Sequence, residues 1–226
     1  MLFSYELLNE VQLNHVANFY DISEFEDGEK TGSDHKELKH NMQMLPEQAD
    51  ACWNIIQQAF EVTDECRYFM QLTKNTIGLF CRYTEGMHYD WHVDSAEMDI
   101  RNDISTTLFL NDPSEYEGGE LVLRYGTEHL YFKLPAGHAI SYPTGTPHKV
   151  MPVTKGERRV SVFWSESMFR KQADRNFMFN HYQMMCSTCK AFGCVPDDID
   201  PNHPLWETFQ HYDAIRHDFI RSYADK

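Results

Sequence analysis

Two histidines and one aspartate in this sequence have the chemistry and the spacing of a metal site. His92 and Asp94 are separated by one residue, and on an extended segment side chains two residues apart project to the same face. His148 is the natural third ligand because it stands at the start of a later predicted strand. Two histidines and one carboxylate on one face of an octahedron leave positions open for a cosubstrate and dioxygen, as in non-haem Fe(II) oxygenases. We therefore predict that these three residues bind Fe(II) and carry the catalysis.

An H-x-D triplet has little specificity when it is considered alone. The chain contains 12 histidines and 35 acidic residues, so such triplets arise by chance, and a solvated loop is the alternative interpretation. The later part of the sequence strengthens the metal-site interpretation, because His148 is followed at short range by Gly156-Glu157-Arg158 and then by Trp164.

An arginine after the third ligand suits a cosubstrate of the 2-oxoglutarate type. Such a keto acid chelates iron through one end, and its distant carboxylate needs a cation, for which the planar fork of arginine is well shaped. Strand alternation separates two neighbouring arginines: Arg158 shares an apolar face with Val162 and Trp164, whereas Arg159 lies on the opposite face. We predict that Arg158 binds the cosubstrate. An exposed arginine in a hairpin is the alternative.

Three zones of the sequence must position these side chains. Residues 1–75 have the pattern of a helical support region, and residues 76–165 form short alternating segments separated by turn residues, which is typical of a sandwich or double-sheet barrel. Residues 166–226 return to helical spacing. We therefore predict one domain over residues 1–226, in which a β core is flanked by helices at both ends.

Several local signals give this prediction its detail. Asn9 or Asn14 could cap the first helix, and Pro46 stands where a second helix would begin. Residues 25–32, rich in acidic residues and glycine, are predicted to form a loop. Residues 125–128 are predicted to form the turn of a hairpin.

Composition limits the partners and the compartment of the protein. The formal net charge of −15 would repel phosphates, so we expect no nucleic-acid partner. Neither an apolar run of about 20 residues nor a signal-peptide pattern is present, so we expect a cytoplasmic protein without a membrane partner. Six cysteines in a chain of this size are expected to be thiols.

The chain resembles a known enzyme family across residues 82–168. Residues 82–94, which include both H-x-D ligands, are similar to the metal-binding stretch of prolyl 4-hydroxylase-like dioxygenases, and most similar to the bacterial PKHD-type hydroxylases. Further matches follow in the order of the sequence: residues 101–110, 116–121 and 134–137, Tyr142-Pro143, His148, Val150, Pro152-Val153, Gly156-Glu157-Arg158 and Trp164. Lys39, Asn41 and Gln43 match a weaker pattern upstream.

The resemblance implies a double-stranded β-helix, which is a jelly-roll variant, with Fe(II) on the positions of His92, Asp94 and His148. It implies 2-oxoglutarate as cosubstrate on Arg158, O2 as oxidant, and ascorbate as an optional addition. Tyr89 matches a position where related enzymes place a phenol near the cosubstrate; a packed core tyrosine is the alternative.

The implied reaction is hydroxylation of an amino-acid, peptidyl (including prolyl) or small-metabolite substrate, with release of succinate and CO2. The segment 95–100 is shorter than in many relatives, and loops at the mouth of a site usually select the substrate, so the sequence does not identify the substrate. A non-catalytic jelly-roll sensor that binds a metal or a metabolite is the alternative function. A zinc or iron hydrolase or isomerase would leave Arg158 without a role.

Two further features leave alternatives open. Cys186, Cys189 and Cys194 could bind zinc with His181 or His203, although free thiols are the default because the full pattern of four cysteines is missing. The apolar C-terminal helices make a homodimer plausible.

Overall fold

The computed structural model of the chain describes residues 2–31, 36–95 and 99–224. These residues form two compact units. The larger unit consists of residues 2–63 and 74–166, and the smaller unit of residues 64–73 and 167–224. The prediction of one domain over residues 1–226 stays a prediction.

Four α-helices and fifteen strands follow one another in the described residues. The α-helices are α1 (Glu10–Ile22), α2 (Pro46–Val62), α3 (Gln172–Ala191) and α4 (Trp206–Tyr223). The strands are β1 (Phe3–Glu6), β2 (Phe25–Asp27), β3 (Lys39–His40), β4 (Met42–Met44), β5 (Leu72–Asn75), β6 (Leu79–Tyr83), β7 (His88–His92), β8 (Ile104–Phe109), β9 (Tyr116–Gly118), β10 (Leu121–Tyr125), β11 (Glu128–Phe132), β12 (His138–Pro143), β13 (His148–Val150), β14 (Val153–Gly156) and β15 (Arg158–Ser167).

The two helices of the larger unit begin at predicted signals. The Asn9 side chain accepts a hydrogen bond from the Gln12 backbone N–H, and the Gln12 side chain accepts one from the Asn9 N–H, both at 3.0 Å. This reciprocal capping box satisfies two N–H groups that would otherwise lack partners. Of the two predicted caps, Asn9 is therefore the one in use, and Pro46 is the first residue of α2 as predicted.

These helices cover one face of the larger sheet. In α2, the rings of Trp53 and Phe60 lie 5.3 and 5.1 Å from that of Phe163 on β15. In α1, the Tyr20 hydroxyl donates to the Cys81 carbonyl of β6 at 3.0 Å. The side chains on one face of β15 are thus fixed by helices, and the opposite face is left for the site.

The larger sheet follows the order β1-β12-β8-β15-β6-β4-β2, with antiparallel pairing between these neighbours. Four strands of the larger unit, β1 to β4, lie within the zone predicted to be helical, so that prediction is wrong in part. The predicted loop over 25–32 is also wrong where Phe25–Asp27 forms β2. These strands have two to four residues, too few to show an alternating pattern, and their conformation is set by the partners they pair with.

The smaller sheet of this unit follows the order β11-β10-β13-β7-β3. Its β10–β11 hairpin turns at Gly126-Thr127, so the predicted hairpin is confirmed. The segment from Lys39 to Met44 passes from this sheet to the larger one, because β3 pairs with β7 and β4 pairs with β6.

A hydrophobic core contains side chains from both sheets. Its buried members are Cys81, Tyr83, Phe109, Leu121, Leu123, Ile140, Tyr142, Val150, Val153 and Val160. Because β6, β8, β12 and β15 belong to the larger sheet and β10 and β13 to the smaller one, the inward faces of both sheets meet in this core.

The smaller unit is helical, as predicted for the C-terminal zone. In α3 and α4, the rings of Phe177 and Phe219 stack at 4.3 Å, and His181 Nε2 donates to the Tyr212 carbonyl at 3.0 Å. Within the described ranges, no helix is long and apolar enough to cross a membrane.

We predict that Gly156→Ala destabilises the protein more than Gly126→Ala. Both glycines have positive φ, 78° and 62°. A Cβ at Gly156 would lie 2.3 Å from the Glu115 carbonyl oxygen, whereas one at Gly126 meets nothing within 4 Å. The left-handed conformation alone costs an alanine about 1 kcal/mol. At Gly156 the backbone must also shift, which raises the expected cost to about 3 kcal/mol. Urea unfolding of the two variants measures the difference, and equal midpoints would contradict the close approach of Gly156 to the Glu115 carbonyl.

Candidate metal centre and cosubstrate pocket

Pairing of β7 with β13 brings the two predicted histidine ligands together. In the register of these strands, His92 lies opposite His148, and their rings are 4.1 Å apart. Asp94 follows the end of β7, and its Oδ1 lies 3.9 Å from His92 Nε2 and 3.7 Å from His148 Nε2. One ligand atom from each residue lies within 4.8 Å of the others. Among the described residues this is the one group of His, Cys, Asp and Glu side chains that could hold a metal ion.

Backbone carbonyls set the orientation of both imidazoles. His92 Nδ1 lies 2.8 Å from the Asp90 carbonyl, and His148 Nδ1 lies 2.9 Å from the Thr146 carbonyl. A carbonyl oxygen only accepts, so Nδ1 carries the proton in each ring and the Nε2 lone pairs face Asp94. Burial, with a further contribution from His148, lowers the pKa of His92 to about 4. The ring is therefore neutral near pH 7, the form that binds a metal.

The Asp94 carboxylate is held by a hydroxyl pair that sequence reasoning did not assign. The Ser105 hydroxyl lies 2.6 Å from Asp94 Oδ2 and donates to it, and it lies 3.1 Å from the Thr144 hydroxyl. Ser105 and Thr144 are both buried. With Oδ2 engaged, Oδ1 is the oxygen that faces the two imidazoles. In the sequence, Ser105 is a single serine within a β-branched strand, and such a serine is common. Only the structure shows that its hydroxyl contacts Asp94.

A β-bulge in β7 turns Tyr89 toward the same cavity as His92. Along β13 the paired residues His148 and Val150 are two apart, but their partners His92 and Tyr89 are three apart. This extra residue is the mark of a bulge, which redirects side chains. Tyr89 therefore stacks on His92, with ring centroids 3.5 Å apart. A regular strand would have placed these residues on opposite faces.

Arg158 enters the cavity from the larger sheet. Its side chain is 1% exposed, and its Nε and Nη1 have no hydrogen-bond partner. Arg159 points the other way and pairs with Asp21 and Glu157. The predicted alternation along β15 is thus confirmed, because Arg158 and Trp164 line the cavity and Arg159 does not. A guanidinium buried without an anion is poised to bind one.

All five predicted site residues line one cavity in the larger unit. Polar residues that we did not assign from the sequence also line it, among them Thr31, Lys39 and Gln43. Residues 96–98 of the shortened segment at the mouth lie outside the described residues.

The donor set fits Fe(II) and a dicarboxylate cosubstrate. Two imidazoles and one carboxylate oxygen converge on one point, and they belong to the borderline ligands that suit iron. The unpaired guanidinium of Arg158 fits the distant carboxylate of a keto acid chelated at that point.

The cysteines that could have formed a second metal site form no disulfide in the part of the chain that the structure describes. Cys186, Cys189 and Cys194 form no such site with His181 or His203 in the described part of the chain. Cys194 Sγ instead donates to the Cys189 carbonyl at 3.4 Å.

The chain is similar to known proteins of one enzyme superfamily. Residues 78–166 match the 2OG-Fe(II) oxygenase superfamily. The chain is 36% identical to a PKHD-type hydroxylase of Xanthomonas campestris, over 97% of each chain. It is 40% identical to a PKHD-type hydroxylase of Gluconobacter oxydans, over 65% of this chain and 63% of that one.

Two solved structures have a similar fold. A Pseudomonas putida prolyl-4-hydroxylase matches with a TM-score of 0.54 and 20% identity, over 74% of this chain and 92% of its own. A Trichoplax adhaerens prolyl hydroxylase, solved with a hypoxia inducible factor peptide, matches with a TM-score of 0.55 and 15% identity, over 73% and 82%. The predicted class of fold, a double-stranded β-helix, is confirmed.

The chain belongs to the PKHD-type hydroxylases of the 2OG-Fe(II) oxygenase superfamily. It is an Fe(II)- and 2-oxoglutarate-dependent hydroxylase.

We predict that Ser105→Ala weakens binding of a divalent metal by about 10-fold to 100-fold, the usual effect of losing a group that orients a ligand. Mn(II) binding, followed by titration calorimetry, measures it. Ser165→Ala is the matched control, because Ser165 is equally buried and its hydroxyl has no partner. Equal affinities in the two variants would rule out an orienting role for Ser105.

Proposed function

We propose that His92, Asp94 and His148 hold the Fe(II) of this hydroxylase, and that Arg158 binds the distal carboxylate of 2-oxoglutarate. One observation carries the proposal: three metal-ligating atoms lie within 4.8 Å of one another in a cavity that also contains the unpaired Nε and Nη1 of Arg158. We further propose that Tyr89, which stacks on His92, lies beside the bound cosubstrate.

Bound iron supplies the oxidative chemistry, in which 2-oxoglutarate, O2 and a substrate C–H bond give succinate, CO2 and a C–OH group. The protein residues orient and shield the reactants. The Nδ1–H donors of the two histidines fix their rings, and Ser105 fixes the carboxylate. The side chains of His92, Asp94 and His148 are each less than 10% exposed, so the ligands lie in a site from which most water is excluded.

The proposed substrate is an amino acid, a peptidyl residue or a small metabolite. The Trichoplax protein named above was solved with a peptide, and this supports a peptide among the candidates. The optional role of ascorbate, the cytoplasmic location, the lack of a nucleic-acid or membrane partner and the homodimer through the C-terminal helices remain predictions from sequence.

We expect that the purified protein, given Fe(II), O2 and 2-oxoglutarate, produces succinate, and that Asp94→Ala abolishes this production because the metal loses its anionic ligand. Succinate is measured by mass spectrometry, and candidate substrates are searched for the gain of one oxygen atom. Asp90→Ala is the control, since Asp90 lies on the same strand and its carboxylate accepts from the Trp91 N–H.

If the wild-type protein binds 2-oxoglutarate but releases no succinate with any candidate substrate, the chain acts as a metabolite sensor and catalysis is refuted. If Asp94→Ala retains full turnover, the ligand assignment is wrong.

We expect Arg158→Gln to raise the KM for 2-oxoglutarate by about 10-fold to 100-fold, the usual effect of removing a charged hydrogen-bond partner. Arg159→Gln should leave this KM within about 2-fold, because Arg159 bonds to Asp21 and Glu157 outside the cavity. Initial rates of succinate formation give both values. A higher KM for Arg159→Gln than for Arg158→Gln would reverse the assignment.

A further inference from the structure

Lys39 is a second buried cation in the cavity. It lies on β3, the edge strand of the smaller sheet, and its side chain lines the cavity with only 4% exposure. In the β3–β7 register, Lys39 lies opposite Tyr89 and His40 lies opposite His88. Alternation therefore turns Lys39 inward, while His40 faces the other side of the sheet, where its ring lies 4.9 Å from that of His88.

The hydrogen bonds around the Lys39 ammonium involve neutral groups. Its Nζ donates to the Thr31 hydroxyl at 2.7 Å, and that hydroxyl donates to Gln43 Oε1, also at 2.7 Å. The Gln43 amide N–H in turn donates to Cys81 Sγ at 3.7 Å. None of the ion pairs among the described residues includes Lys39, although the chain is strongly acidic.

This arrangement is costly unless an anion binds. Moving an ammonium out of water costs several kcal/mol, which neutral partners offset only in part. Burial lowers the pKa of Lys39, while the negative charge of the Asp94 carboxylate opposes that change. An ammonium has three donors, and the bond to Thr31 uses one of them. The remaining donors can serve a ligand in the cavity.

The position of Lys39 relates it to the metal centre. Its Nζ lies 5.5 Å from the centroid of the Tyr89 ring, and that ring stacks on His92 at 3.5 Å. Lys39 and the proposed metal ligand His92 therefore both contact the Tyr89 ring. Arg158 reaches the cavity from β15 and lies over the rings of Tyr83 and Phe109 instead. The two cations come from different sheets and have different aromatic neighbours.

The charges of the proposed complex leave Lys39 without an assigned partner. In the proposed complex, Arg158 neutralises one carboxylate of 2-oxoglutarate, and the divalent metal neutralises the other. The second positive charge of the metal is neutralised by Asp94. Lys39 then leaves the cavity with one positive charge in excess. A buried charge of this kind is normally paired. Because the metal and 2-oxoglutarate are already neutralised, the substrate is the molecule that can supply the negative charge.

We propose that Lys39, supported by Thr31 and Gln43, binds a carboxylate of the substrate, so that the substrate class is a carboxylic acid in its ionised form. This inference rests on the proposed function of the same cavity. It narrows the candidates to amino acids, acidic metabolites and peptides that present a carboxylate near the C–H bond to be hydroxylated.

The test compares acids with their primary carboxamides. The probes are L-amino acids and small dicarboxylic acids, each as the acid and as the amide, added to the full-length protein loaded with Mn(II) and N-oxalylglycine. Broadening of the probe proton signals by Mn(II) reports binding close to the metal. The proteins are the wild type, Lys39→Met, Lys39→Arg and Lys133→Met. Lys133 is a matched control, because it also lies over a tyrosine ring and donates to a neutral oxygen, but it does not line the cavity.

We expect the wild type to bind at least one acid about 10-fold more tightly than its amide, as a charged hydrogen bond would give. Lys39→Met should bind acid and amide equally, Lys39→Arg should retain part of the preference, and Lys133→Met should match the wild type. The KM for 2-oxoglutarate, measured from substrate-independent succinate formation, should stay within about 2-fold in every variant.

Three results would overturn the inference. The first is that the wild type shows no preference for any acid over its amide, and the second is that this preference is unchanged in Lys39→Met. The third is a rise in the KM for 2-oxoglutarate in Lys39→Met, which would assign Lys39 to the cosubstrate. If Lys39→Met does not fold, Lys39→Arg and the wild-type comparison still decide. Loss of 2-oxoglutarate turnover in the wild type would instead refute the proposed function, so the two failures are distinguishable.

Discussion

The pairing of two short strands, β7 and β13, is the constraint on which the site depends. It places His92 opposite His148, and the bulge between their paired positions turns Tyr89 to the same side. Because β3 pairs with the far edge of β7, the same register also directs Lys39 inward. A slip of one residue would reverse the facing of these side chains. The predicted metal ligands, Tyr89 and Lys39 thus depend on one local geometry.

The larger sheet supports this arrangement from the opposite side of the cavity. One face of β15 is fixed by contacts of Phe163 with Trp53 and Phe60 of α2, and the other face delivers Arg158 and Trp164 to the cavity. The energetic cost of burying a guanidinium is tolerable because aromatic rings lie against it and an anion can enter. Helix packing and the proposed cosubstrate site are therefore linked through alternate residues of a single strand.

The positive charge in the cavity contrasts with the negative net charge of the chain. A chain with a formal charge of −15 buries two cations, Arg158 and Lys39, in the cavity that holds the predicted iron ligands. The acidic surface is unfavourable for stray anions, whereas the interior offers fixed positive charge to an anion that fits. This difference is consistent with an enzyme whose cosubstrate is a dianion.

The sequence alone determined the class of fold, and it predicted the metal ligands and the arginine that we propose, because these follow from side-chain chemistry, strand alternation and the ordered family motifs. It also determined the starts of α1 and α2, since a capping box and a proline act locally. Only the tertiary structure decided the rest. Strands such as β2 and β3 are too short to have a pattern of their own, and the hydroxyl of Ser105 gains its role from the nearby Asp94 carboxylate. The inward direction of Lys39 likewise depends on a partner strand about 50 residues away in the chain, and such long-range pairing leaves no periodic signal in the sequence.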